Sequence, residues 1–105
     1  MKPKKVNIHG VDYTIEYVDK PSEVDIYKRD SLWGQIDYWT RTIRVYETNR
    51  PIQDIWKTII HEVLHGIAND LNFDELNKDE DKIDMLARSL TDVLFRNGWI
   101  RGSEK

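Results

Sequence analysis

The sequence predicts an α+β domain, a small and mainly antiparallel β-sheet with two helices packed on it. Three observations predict it. Apolar side chains alternate through the first half of the chain and recur at helical spacing through the second half. The 105 residues, 39% of them hydrophobic with four Trp and five Tyr, suffice for one modest core and leave no room for a second domain.

The strands come first. In "KVNIHGVDYTIEYV" (5–18), Val6 and Ile8 alternate, then Val11, Tyr13, Ile15 and Tyr17, with His9-Gly10 between them as a hairpin turn. "VDKPSEVDIYKRDS" (18–31) is polar and holds Pro21, so it reads as a mobile loop. "LWGQIDYWTRTIRVYET" (32–48) sets Ile36 and Tyr38 on one face, turns near Thr40-Arg41, and returns through Ile43 and Val45 as a second hairpin.

Two helices follow. "TNRPIQDIWKTIIHEVLHGIANDL" (48–71) offers Thr48 or Asn49 as N-cap and Pro51 in the first turn, where a missing N–H is harmless, and predicts a helix over 51–71. At about 100° per residue, Ile52, Trp56, Ile59, Ile60, Val63, Ile67 and Leu71 form an apolar arc for the sheet. His61 and His65 fall outside that arc, beside Thr58, Glu62 and Ala68. "NFDELNKDEDK" (72–82) interrupts the pattern. "DKIDMLARSLTDVLF" (81–95) restores it through Ile83, Leu86, Ala87, Leu90, Val93 and Leu94, a second amphipathic helix. Residues 1–105 thus read as one domain, with "RGSEK" (101–105) as a disordered tail.

Composition excludes several classes of function. The chain has no cysteine, so a disulfide framework, a thiolate metal site and a cysteine nucleophile are ruled out, which suits a reducing compartment. No apolar run approaches the length of a bilayer, and no apolar leader follows the basic start, so the expected location is cytoplasmic, with no membrane partner. Sixteen Lys and Arg against nineteen Asp and Glu give a net charge of −3, no general attraction for nucleic acid, and "KPKK" is too short to change that. Any metal must be held by histidines and carboxylates.

"HEVLH" supplies such a set. His61 and His65 stand four apart on a predicted helix, where side chains at that spacing lie about 5–6 Å apart. Two imidazoles so placed can converge on one Zn²⁺ with bonds of about 2.0–2.1 Å. Helix geometry turns Glu62 about 100° from His61, so that it reaches a water on the metal without ligating the metal itself. A core histidine would sit within the apolar arc, and these two do not.

His61 to His65 spell the HExxH signature of zinc metallopeptidases. The order of short strands, "LWGQIDYWTRTIRVY", the HExxH helix and an acidic second helix resembles small phage or prophage zinc peptidases, similar in general plan to ImmA/IrrE-type and SprT-like proteins. The resemblance covers roughly residues 33–95. It implies His61 and His65 as zinc ligands and Glu62 as general base. Position 71 is Leu, so the third histidine of metzincins is absent. In gluzincins the third ligand is a Glu on a following helix, with an Asp four residues later holding a ligand histidine, and the resemblance thereby implies Glu80 and Asp84. Asp79, Asp81 and Asp84 are the competing ligands, and Asn77-x-x-Glu80 reads equally as a capping box.

The expected activity is a zinc-dependent metalloendopeptidase that holds an extended polypeptide on the edge strand around Gln35–Asp37. His9, Tyr38, Arg41 and Tyr46 are candidates for stabilising the oxyanion. Trp33, Trp39, Trp56 and Trp99 read as core and helix–sheet contacts, with one exposed Trp near the cleft as a substrate contact. Gly66 allows close approach of another backbone, or is a tolerated mid-helix glycine. Two alternatives stand beside the peptidase. One is a non-catalytic binding module using the same fold and zinc to grip a host protein, and the other is a structural protein with an incidental HExxH.

Overall fold

Two hairpins build the sheet. The computed structural model describes residues 2–29 and 31–100; the expected tail at 101–105 lies outside them. Strand β1 (Lys5–Ile8) pairs antiparallel with β2 (Val11–Val18), placing Val6 opposite Tyr13 and Ile8 opposite Val11. His9 and Gly10 join them with φ of 51° and 90°, the two positive angles that a tight two-residue turn requires. Strand β3 (Gly34–Asp37) pairs antiparallel with β4 (Thr42–Tyr46), Ile36 opposite Ile43. Between them the Asp37 carboxylate accepts the Thr40 N–H and hydroxyl, and Arg41 takes a φ of 54°. The hairpins join through a parallel pairing of β2 with β4, giving the order β1-β2-β4-β3. The sheet is therefore mixed, with β3 at an edge.

The connection from β2 to β3 is anchored, contrary to the mobile loop the sequence suggests. A turn of 3-10 helix at Pro21–Glu23 leads into Val24 and Asp25, both buried. The Asp25 carboxylate accepts from the backbone N–H groups of Tyr27 and Arg29 and from the Gln35 side chain. One buried acid thus ties this segment to β3.

Helix α1 (Ile52–Asp70) crosses the sheet. Its N-cap is Pro51 and makes no side-chain cap bond, whereas Asn49, an expected cap, sits in the preceding turn with φ of 60°. Ile55 and Ile59 bury against Ile8, Tyr13, Ile15, Ile43 and Val45, with Ile52, Trp56, Val63 and Ile67 around them. A short helix α2 (Asp74–Asn77) occupies the interrupted segment, and α3 (Glu80–Arg96) returns along α1. It packs on α1 through Ile83 and Ala87, both fully buried, and through Thr91. The expected stripe was wider: Leu86, Leu90 and Val93 face outward. No helix is long and apolar enough to cross a membrane among the described residues.

The side of α1 away from the sheet, where the sequence places both histidines, is thus an interface with α2 and α3. A site there lies between helices.

Candidate metal centre

Successive turns of α1 bring the His61 and His65 rings to a centroid separation of 5.1 Å. Glu80, the first residue of α3, reaches both. Its Oε1 lies 3.0 Å from His61 Nε2 and its Oε2 2.9 Å from His65 Nε2. Donor atoms of these three residues lie within 4.8 Å of one another, a group that can hold a metal ion. Tetrahedral bonds of about 2.0–2.1 Å need ligand atoms about 3.3 Å apart. The two spacings from Glu80 to the histidines are within a few tenths of an ångström of that.

The hydrogen bonds around the group fit a cation as well as the distances do. His65 Nδ1 lies 2.6 Å from Asn77 Oδ1 and donates its proton there, leaving a lone pair on Nε2. His61 Nδ1 lies 3.6 Å from Asp84 Oδ1, beyond hydrogen-bond distance. Both Nε2 atoms lie within hydrogen-bond distance of the Glu80 carboxylate, so a ring proton or a shared cation can stand between them. A cation would use all three donors.

The competing roles for α3 are settled by its cap. Asp79 Oδ1 accepts the Lys82 N–H at 3.1 Å, so Asp79 is the N-cap and the Asn77–Glu80 capping box does not form. Asn77 instead orients His65. Asp81 lies outside the three-donor group, and Asp84 stands on the Nδ1 side of His61, 3.2 Å from Arg88 Nε. Glu80 keeps an exposed side chain, so one side of the group opens to solvent.

Glu62 is buried, and the Ile36 N–H donates to its carboxylate. Burial, then the nearby charge of Glu80, push its carboxyl up to about 8, which the Ile36 bond only partly offsets. The β3 strand crosses α1 at this height because residue 34 is glycine. A Cβ there would stand 2.5 Å from Thr58 Cγ2 and 3.1 Å from Glu62 Oε2. Gly66 has a similar reason, with the apolar side chains of Ile8 and Ile36, rather than another backbone, filling the place of its Cβ at 2.8 and 3.0 Å.

A cavity of about 290 Å³ opens beside His61. His61, Glu62, Thr58 and Lys57 of α1 form one wall, and Leu32, Trp33, Gly34 and Asp84 complete it. Trp33 is 60% exposed here, the position expected of a substrate-contacting Trp. Trp39 and Trp99 are also exposed, so only Trp56 serves the core as the sequence reading had all four doing. Of the oxyanion candidates, Tyr38 donates its hydroxyl to the His65 carbonyl at 3.2 Å. Tyr46 packs edge-on against Trp33, while His9 pairs with Asp70 at the other end of α1 and Arg41 sits in the β3–β4 turn. Sequence reasoning missed Gly34, Asn77 and Lys57. A glycine inside a strand pattern signals close backbone approach and could have found the first; no local signal marks the other two.

Comparison with known proteins yields no matching family model, no matching curated protein and no matching solved structure.

Proposed function

We propose that the protein is a zinc-dependent endopeptidase acting on polypeptide. The observation that carries this reading is the His61–His65–Glu80 group with the buried, non-ligating Glu62 beside it, both His61 and Glu62 lining the cavity below the β3 edge. Two imidazoles and one carboxylate with an open side suit catalytic zinc, since no thiolate is present and hard-cation sites take oxygen ligands alone. Bound zinc would lower the pKa of a coordinated water toward about 7 and polarise the scissile carbonyl.

The chain's own residues supply the rest. A dication beside Glu62 favours its ionised form and opposes the burial that holds it neutral, so Glu62 accepts a proton from the attacking water and delivers it to the departing amine. Asn77 holds His65 by its Nδ1, and Asp84 stands on the Nδ1 side of His61 at 3.6 Å. The outer edge of β3 borders the cavity, with its Ile36 N–H engaged by Glu62 and the rest of the edge left for an extended peptide, and Leu32 and Trp33 offer apolar contact for a side chain. Incubation of the zinc-loaded protein with a proteome, reading new peptide termini, tests the reading. New termini that vanish with Glu62→Gln support it, and none above the Glu62→Gln background would reject it.

A second reading is a non-catalytic module that grips a host protein. The exposure of Trp39 and Trp99, both away from the cavity lining, favours it. Partner binding unaffected by Glu62→Gln, with no cleavage, is its signature.

A further inference from the structure

Lys57 of α1 borders the cavity beside the metal group, and also the neighbouring cavity lined by Asp54 and Asp92. Lys57 stands one helical turn before His61 on the same stripe of α1, about 6 Å along the axis. It is half-buried and lines the cavity. Among the described residues no carboxylate lies within 4.0 Å of its ammonium. The acids of the same wall are already occupied. Glu62 accepts the Ile36 N–H, and Asp84 lies 3.2 Å from Arg88 Nε and 3.6 Å from His61 Nδ1.

A second positive charge backs the opposite wall. Arg50 lies over the Trp33 ring with Cζ 4.5 Å from the centroid, and its Nη2 donates to Thr58 Oγ1 at 2.7 Å. The same lining carries the Glu62 and Asp84 carboxyls, so Lys57 is the one ammonium of the lining, with Arg50 behind its Trp33 wall. A neutral aromatic side chain would cover the apolar wall but desolvate the Lys57 ammonium without a partner. An anionic one satisfies it with a charge-assisted hydrogen bond.

We infer that the cavity receives a carboxylate of the substrate, carried by the residue next to the scissile bond, and that Lys57 is the specificity-determining residue. The inference rests on the peptidase reading of the same site. A carbonyl at the open side of His61 and His65 sets its neighbouring side chain toward the preceding turn of α1, within reach of Lys57. Trp33 and Leu32 take the methylenes. An Asp or Glu side chain and a chain-terminal carboxylate both carry the required chemistry.

The test uses the zinc-loaded full chain and two probes differing in one group, the α-hydroxamates of N-acetylglutamate and N-acetylglutamine, titrated by calorimetry. The glutamate probe should bind at least about fivefold tighter. That ratio should fall to within about twofold of unity in Lys57→Met and invert in Lys57→Glu, with zinc content measured alongside. Equal affinities in the wild type, or a ratio that survives Lys57→Met, overturn the inference. The titrations need no turnover, so failure of the peptidase reading appears separately, as probe discrimination without cleavage of any peptide. Peptides with internal glutamate and amidated ends, set against neutral peptides with a free end one residue past the bond, assign the carboxylate to side chain or chain end.

Discussion

At His65 the bond made by one ring nitrogen decides what the other can do. Because Asn77 takes the Nδ1 proton, Nε2 is left as an acceptor beside Glu80. His61→Ala, His65→Ala and Glu80→Ala should each abolish stoichiometric metal, measured by elemental analysis after dialysis. Asn77→Ala and Asp84→Asn should retain it with affinity lowered about 10–100-fold. Retention in Glu80→Ala together with loss in Asp84→Asn would move the third ligand a turn along α3. Glu62 supports a separate test in the metal-free protein. Its carboxyl keeps a proton up to about 8 when folded, against an ordinary value of 4.5, so the folded state binds more protons between those values. The associated stability is present below pH 4.5 and is lost as pH rises through 8. Metal-free Glu62→Gln should therefore melt above wild type at pH 8.5, by an amount on the order of a few kcal/mol, and nearly with it at pH 4.5. Equal melts at both pH values would show that burial does not perturb Glu62.

At the scale of elements, close approach is what sequence patterns describe least well. Both hairpins were legible, since His9-Gly10 carries a turn signature and the strands alternate cleanly. Most of the α1 face was legible too, as Ile59, Ile52, Trp56, Val63 and Ile67 meet the sheet core, but the arc left out buried Ile55 and included exposed Leu71. The parallel pairing of β2 with β4 was not, because it depends on a connection anchored by buried Asp25, which in sequence looks like any polar loop residue. Nor was the end of α3 that carries Glu80, because a run of acids offers several caps and only packing selects Asp79. Gly34 is where β3 and α1 press closest, against a Thr58 whose hydroxyl is held by Asp54 and Arg50. Gly34→Ala should cost about 1–3 kcal/mol in urea unfolding. Combined with Thr58→Ser, which removes the methyl in contact, the cost should be smaller than the sum of the two single changes. Strict additivity would mean that strand and helix are not in contact there. Asp79→Ala, a cap loss, should cost about 0.5–2 kcal/mol and leave the metal in place.

Across the whole molecule, α1 packs against both the sheet and α3, and the metal group spans the α1–α3 side of it. The sheet side is held by Ile43, Val45, Ile55 and Ile59, all buried. The helical side has less apolar burial, chiefly Ile83 and Ala87, because much of the expected α3 stripe faces outward. Across this weaker seam Glu80 of α3 meets His61 and His65 of α1. Zinc should therefore stabilise the domain as a unit through linkage, since the donors converge only when α3 is docked on α1. Free zinc at about a thousandfold over Kd would add about 4 kcal/mol, and each kcal/mol raises Tm by about 4–8 °C in a domain of this size. The expected result is one cooperative melt that rises by more than 10 °C with saturating zinc, returns on chelation, and does not rise in Glu80→Ala. A rise in wild type that persists in Glu80→Ala would place the stabilising ion elsewhere. A second, lower transition appearing on chelation would mean that α3 undocks while the sheet and α1 remain folded. In that case the metal acts as a clasp between layers, and metal loss would be expected to expose Ile83 and Ala87 before the core opens.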